Sequence, residues 1–109
     1  MTWVTATAAA DTAVTVTLAA AAGVCRVVGA IVVSATGGTS PTPALTVADG
    51  VTTVFDATLT PSATVPTWTA PANAVFQGSV GNAVAVSLAA FTGMTGVVNV
   101  GYYDVVPGE

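Results

Sequence analysis

The chain has 109 residues, of which 53% are hydrophobic but only 6% aromatic and 6% charged, and its net charge is −4. That length suits one domain with its own core and is too short for two. Arg26 is the sole basic residue and histidine is absent, which argues against a nucleic-acid partner needing a basic patch and leaves only carboxylates for acid–base chemistry.

The apolar residues are mainly Ala and Val, and the polar ones mainly Thr with Ser, Asn and Gly. Val and Thr are β-branched and favour extended backbone, so an all-β domain is expected over residues 1–109. Met1 to Ala10 shows no strong pattern beyond Trp3 and Val4, and is read as a candidate N-terminal arm. Thr12 to Leu18 alternates, with Val14, Val16 and Leu18 on one face, as in a half-buried strand. Ala19 to Gly23 is a small-residue connection with room for a short helix over Ala19 to Ala22. Val24 to Ala35 reads as a longer strand. Strict alternation puts Cys25, Val27, Ile31 and Val33 on one face, and Val24, Arg26, Val28, Ala30 and Val32 on the other. Both faces are apolar, so both should be covered.

Thr36 to Pro43 is a loop. Leu45 to Val47 and Val51 to Leu59 form a hairpin around Asp49-Gly50. A three-residue loop with left-handed Gly50 is preferred, because it turns Phe55, Ala57 and Leu59 inward with Leu45 and Val47 and leaves Asp56 outside. Pro61, Pro66 and Pro71 mark an edge or surface segment carrying Trp68. Ala74 to Val80 reads as a strand, Gly81-Asn82 as a tight turn, and Ala83 to Ala89 as a strand with Val84, Val86 and Leu88 inward. After a loop from Phe91 to Thr95, Gly96 to Val106 is the last strand, with Val98, Val100 and Tyr102 opposite Tyr103. About eight short antiparallel strands separated by turns indicate a single-domain β-sandwich or a jelly-roll-like barrel.

Two segments echo each other. Ala13 to Gly23 reads AVTVTLAAAAG and Ala83 to Gly93 reads AVAVSLAAFTG. A duplicated strand-plus-corner would produce this, and so would chance in so biased a composition. A true repeat should appear as two equivalent strands, each followed by the same turn.

The residues offer little chemistry. Cys25 is the lone cysteine, so no intrachain disulfide forms, and without histidine no metal site is expected. Asp56 and Asp104 are the one carboxylate pair worth weighing, and two solvated side chains are the preferred reading. No phosphate-cradling loop, cofactor site or membrane span is expected. Neither is a secretory leader, since no positive segment precedes Asp11. The chain is read as a non-enzyme.

Candidate subunit contacts are Trp3, Arg26, Trp68, Phe76 and Tyr103. Aromatics are favoured at interface hot spots, and an unpaired Arg among valines needs a partner. That partner is an acid of this chain, Asp104 or Asp56, or water reached by a snorkelling side chain, or an acid of a neighbouring subunit.

The segments Leu45–Thr53 (LTVADGVTT), Gly78–Val86 (GSVGNAVAV) and Thr95–Val100 (TGVVNV), the last leading into Gly101-Tyr102, resemble small virion proteins of tailed bacteriophages. The resemblance spans roughly Gly23 to Tyr103 and rests on turn-and-strand signatures. It implies a β-sandwich on the outside of the phage head, made in the host cytoplasm. There a capsid decoration (cement) protein, often a homotrimer, would bind the major capsid protein and copies of itself at capsomer junctions. The alternatives are a carbohydrate- or receptor-binding module of a fibre or cell-surface protein, and a tail-tube or connector subunit.

Overall fold

Alternation of Val with Thr or Ala sets most of the strands, and the turns between them set the order. In the computed structural model, residues 1–39, 41–61, 67–70 and 75–107 are described. Their strands are β1 (Thr2–Thr7), β2 (Val14–Leu18), β3 (Cys25–Gly37), β4 (Ala44–Asp49), β5 (Thr52–Thr58), β6 (Thr67–Thr69), β7 (Phe76–Gln77), β8 (Val84–Leu88) and β9 (Met94–Val105). One sheet has the order β1-β9-β3-β6, with β7 also on β3; the other runs β2-β8-β4-β5. Every pairing is antiparallel. The protein is an all-β sandwich. We call the sheets long and short, after β3 and β9 in the first.

The core lies between the sheets. Val14, Val16, Leu18, Leu45, Val47, Val84, Val86 and Leu88 face it from the short sheet, and Val28, Ile31, Val33, Val98 and Val100 from the long one. Each such side chain contributes about 1.5–3 kcal/mol on burial. Among the described residues no polar or charged side chain is buried, so the core carries no desolvated charge to offset.

Several expectations are corrected. Within the segment read as an arm, Thr2–Thr7 are instead a six-residue strand along β9, with Val4 and Ala6 packed against the core. The weak apolarity of Ala hid this alternation. Strict alternation also fails in β3. A β-bulge at Gly29 shifts the register between Val28 and Ala30, so Val28 shares the inner face with Ile31 and Val33. Cys25 and Val27 are buried outside that core cluster, on the opposite face from Ile31. An isolated Gly in a strand is a bulge signal.

The β4–β5 hairpin reaches the expected inward face by another route. Its loop is two residues, Gly50 and Val51, with Asp49 opposite Thr52. A bulge at Val54 then restores Phe55 opposite Val47 and Ala57 opposite Leu45. No helix forms over Ala19 to Ala22. The strand expected from Ala74 to Val80 shrinks to Phe76–Gln77, and Ala74 lies outside the described residues. β6 sits at the long sheet's edge, as the prolines required; Pro66 and Pro71 lie outside the described residues.

The sequence echo is structural. β2 and β8 are antiparallel neighbours, with Val14 opposite Leu88, Val16 opposite Val86 and Leu18 opposite Val84. Each strand is followed by the same turn. The Val24 N–H donates to Ala21 O at 3.3 Å, and the Met94 N–H to Phe91 O at 3.0 Å. Gly23 and Gly93 hold φ of 73° and 77°, a left-handed conformation that glycine adopts without steric cost.

The likeness reaches beyond the echoed segments. Asp11 N–H donates to Met94 O at 3.1 Å, and Gly81 N–H to Val24 O at 3.0 Å. Ala6 opposes Val98 across β1–β9, and Phe76 opposes Val28 across β7–β3. In each case the equivalent residues of the two contacts, not the partners themselves, are 70 positions apart in the chain (11 and 81, 24 and 94, 6 and 76, 28 and 98). The two halves therefore repeat one three-strand unit about a local two-fold axis through the β2–β8 pair.

Candidate functional site

The surfaces available for contact are two sheet faces and two flanks. On the outer face of the long sheet the register places Trp3, Thr5 and Thr7 beside Gly101, Asn99 and Val97. Among the described residues no charged side chain occupies that face. Thr5 Oγ1 donates to Asn99 Oδ1 at 2.7 Å, and Asn99 Nδ2 donates to Val32 O at 3.3 Å, so its central polar groups bond one another.

Met1, Trp3 and Tyr103 gather at one end of this face, 66%, 54% and 44% exposed. They lie over a glycine floor. A β-carbon on Gly101 would sit 2.6 Å from Met1 Sδ and 3.2 Å from Trp3 Cε2; one on Gly29 would sit 2.8 Å from Met1 Cε and 3.5 Å from Tyr103 Cε1. Two of the expected contact residues, Trp3 and Tyr103, are thus brought into one exposed apolar cluster. Met1 and the glycine floor were not singled out from the sequence. Gly29 is the unpaired residue of the bulge and Gly101 stands opposite its neighbour Ala30, so their closeness depends on the β3–β9 ladder and carries no local signal.

Trp68 and Phe76 are placed differently. Both are half-buried and packed against the core. The Phe55 ring joins them, 6.3 Å from Trp68 and 5.0 Å from Phe76 between centroids, a tilted geometry favourable for aromatic rings. Beside Trp68 lies a pocket of about 160 Å³ lined by Val33, Ala35, Leu59 and Pro61 together with Thr60 and Thr67.

Arg26 finds its partner within the chain. Nη1 lies 2.6 Å from Asp104 Oδ2, Nε donates to Ala19 O at 3.0 Å, and the guanidinium stands 5.9 Å from the Tyr102 ring centre. Arg26 is opposite Asp104 in the β3–β9 ladder, so the bulge at Gly29 sets this pair too. Asp56 is opposite Thr46 on the other sheet, so Asp56 and Asp104 do not form a paired-carboxylate site.

Asp49 does more than turn a hairpin. Its carboxylate accepts from Ser79 Oγ at 2.7 Å, Ser79 N at 3.0 Å and Asn82 Nδ2 at 3.1 Å. The Ser79 hydroxyl bond first, then the Ser79 amide and the Asn82 amide, hold this carboxyl below its ordinary range. The clamp ties the β4–β5 hairpin to the turn before β8. The short sheet's outer face is lined by Thr, Ser and Ala, with Thr15 and Ser87 hydroxyls 3.1 Å apart and Asp56 its one charge among the described residues.

Among the described residues no three Cys, His, Asp or Glu side chains gather as a metal site. Among the described residues no helix is long and apolar enough to cross a membrane. Compared with protein-family models, curated proteins and solved structures, the chain matches none of them.

Proposed function

We propose that the chain is a non-catalytic structural subunit of a tailed-phage particle, a capsid decoration protein bound at capsomer junctions. The single observation that carries this reading is the outer face of the long sheet. Among the described residues it carries no charged side chain, its central pair Thr5 and Asn99 are bonded to each other, and Met1, Trp3 and Tyr103 stand exposed on it. Interface cores are depleted in charge and enriched in Trp, Tyr and Met. The resemblance of the turn-and-strand motifs to small virion proteins supports a particle as the setting of that surface. Many copies, each burying a modest area, hold a shell together through multivalency. The partners are the major capsid protein and further copies of this chain; the trimeric order comes from the resemblance alone.

Particles assembled without the chain should lose resistance to heat or pressure and regain it on adding the protein back. Unchanged resistance would remove the reading. The exposed Trp3 favours one alternative, a carbohydrate- or receptor-binding module. Glycan-array binding that is lost in Trp3→Ala, with Trp68→Ala as a second variant, would favour that module instead.

A further inference from the structure

A sandwich has four sheet edges, and this one protects them unequally. The edge at β5 carries Asp56 and the bulge at Val54. The opposite sheet's edge on the same flank is made of the short strands β6 and β7, of three and two residues. Charges, bulges, prolines and short strands are the usual devices that stop a sheet edge from pairing with another chain. On the other flank, β1 and β2 are the edges. Neither contains a charged residue, a proline or a bulge, and β1 runs six residues from Thr2 to Thr7.

We propose that β1 is the self-association edge of this protein, pairing antiparallel with β1 of a second copy to extend the long sheet across both. The inference rests on the reading of the chain as a self-assembling subunit. A second copy is the occupant for two reasons. At a net charge of −4, copies repel each other, and this flank brings no charged side chain into the strand pairing. Second, β1 complements itself. A two-fold axis normal to the sheet keeps inner residues beside inner ones, so the pairing centres on Val4 or Thr5. Trp3 then lies beside Thr5 or Thr7 of the other copy on the outer face, with no like charges opposed. The contact is isologous and closes as a dimer. It also joins the charge-free outer faces of two copies into one surface.

The test is the mass of the full-length protein in solution across a concentration series, read alongside particle binding. Wild type should reach twice the 10.5 kDa chain mass. Thr5→Lys should return it to a single chain mass, whereas the same change at the guarded edge, Thr58→Lys, should leave the dimer intact. Amide exchange over Thr2–Thr7 should slow as wild-type concentration rises, a readout needing no variant. A wild type that stays monomeric overturns the proposal. So does an oligomer that survives Thr5→Lys while β1 amides exchange at a concentration-independent rate. Particle binding in either case leaves the decoration reading standing without this edge. A β1-dependent dimer that binds no particle supports the edge and removes that reading.

Discussion

The two halves of the molecule, β1–β3 and β7–β9, share backbone hydrogen bonds 70 residues apart, yet they secure them with different side chains. In the first half the left-handed position before the short strand is Asp11, at φ 67°, and its carboxylate accepts from Gly93 N–H. In the second half that position is Gly81, at φ 79°, and the turn is clamped from outside by Asp49. β1 runs six residues where β7 runs two, and β6 occupies the length of β3 that β7 leaves free. The comparison teaches that the apolar alternation and the glycine turns define the repeat, whereas the side chains that lock it are replaceable.

The largest break in that equivalence should come from the core. Leu18 and Leu88 are counterparts, but Leu18 lies on an edge strand and Leu88 on an interior one, where it is fully buried. Leu88→Ala should cost about 3–4 kcal/mol and Leu18→Ala about 2 kcal/mol, read from urea unfolding midpoints. Equal losses would show the halves to be energetically as well as geometrically alike.

The matched turns sharpen it further. A β-carbon at Gly23 meets nothing within 4 Å, whereas at Gly93 it would meet Gly38 Cα at 3.3 Å. Gly23→Ala should cost about 1 kcal/mol for the left-handed backbone alone, and Gly93→Ala about 2 kcal/mol. Thermal melts of both variants decide it.

Asp49 supplies a pH test of the clamp that the first half lacks. Its folded pKa is held below the ordinary 3.8 by Ser79 and Asn82. The clamp's stabilisation is therefore complete above the unfolded value and is lost as pH falls through the lowered folded value. Asp49→Ala should lower stability by about 1 kcal/mol at neutral pH, and the gap from wild type should close as the solution is acidified below about pH 4. A gap that persists in acid would assign the loss to packing instead.

The smallest effect is expected at Arg26. It is the only cation among the side chains, but Asp104 is 41% exposed, so the pair is solvent-screened. Arg26→Ala should cost about 1 kcal/mol or less and leave oligomer mass unchanged. Loss of assembly would return the partner to a neighbouring subunit.

Much of the sandwich was legible in the residues. Val14-Thr15-Val16-Thr17-Leu18 and Val84 to Leu88 announce their inward faces by simple alternation. What stayed hidden depends on bulges and distant pairing. Gly29 reverses the faces of β3, and Val54 restores those of β5. An expectation of strict alternation misplaces every residue on one side of such a step. The site was legible in part. Trp3 and Tyr103 were expected at a contact surface and share one, but their gathering about Met1, Trp3 over Gly101 and Tyr103 over Gly29, requires the β1–β9 ladder between residues nearly a chain length apart. Trp68 and Phe76 were indistinguishable from them by residue type, and burial separates the two pairs.

The most direct measurement is electron microscopy of the intact phage particle, prepared with this chain and without it. The account predicts added density, sized for one small two-sheet sandwich per copy, on the outer shell at junctions between capsomers. Identical shells in both maps, or the added density confined to a ring in the tail, would contradict it.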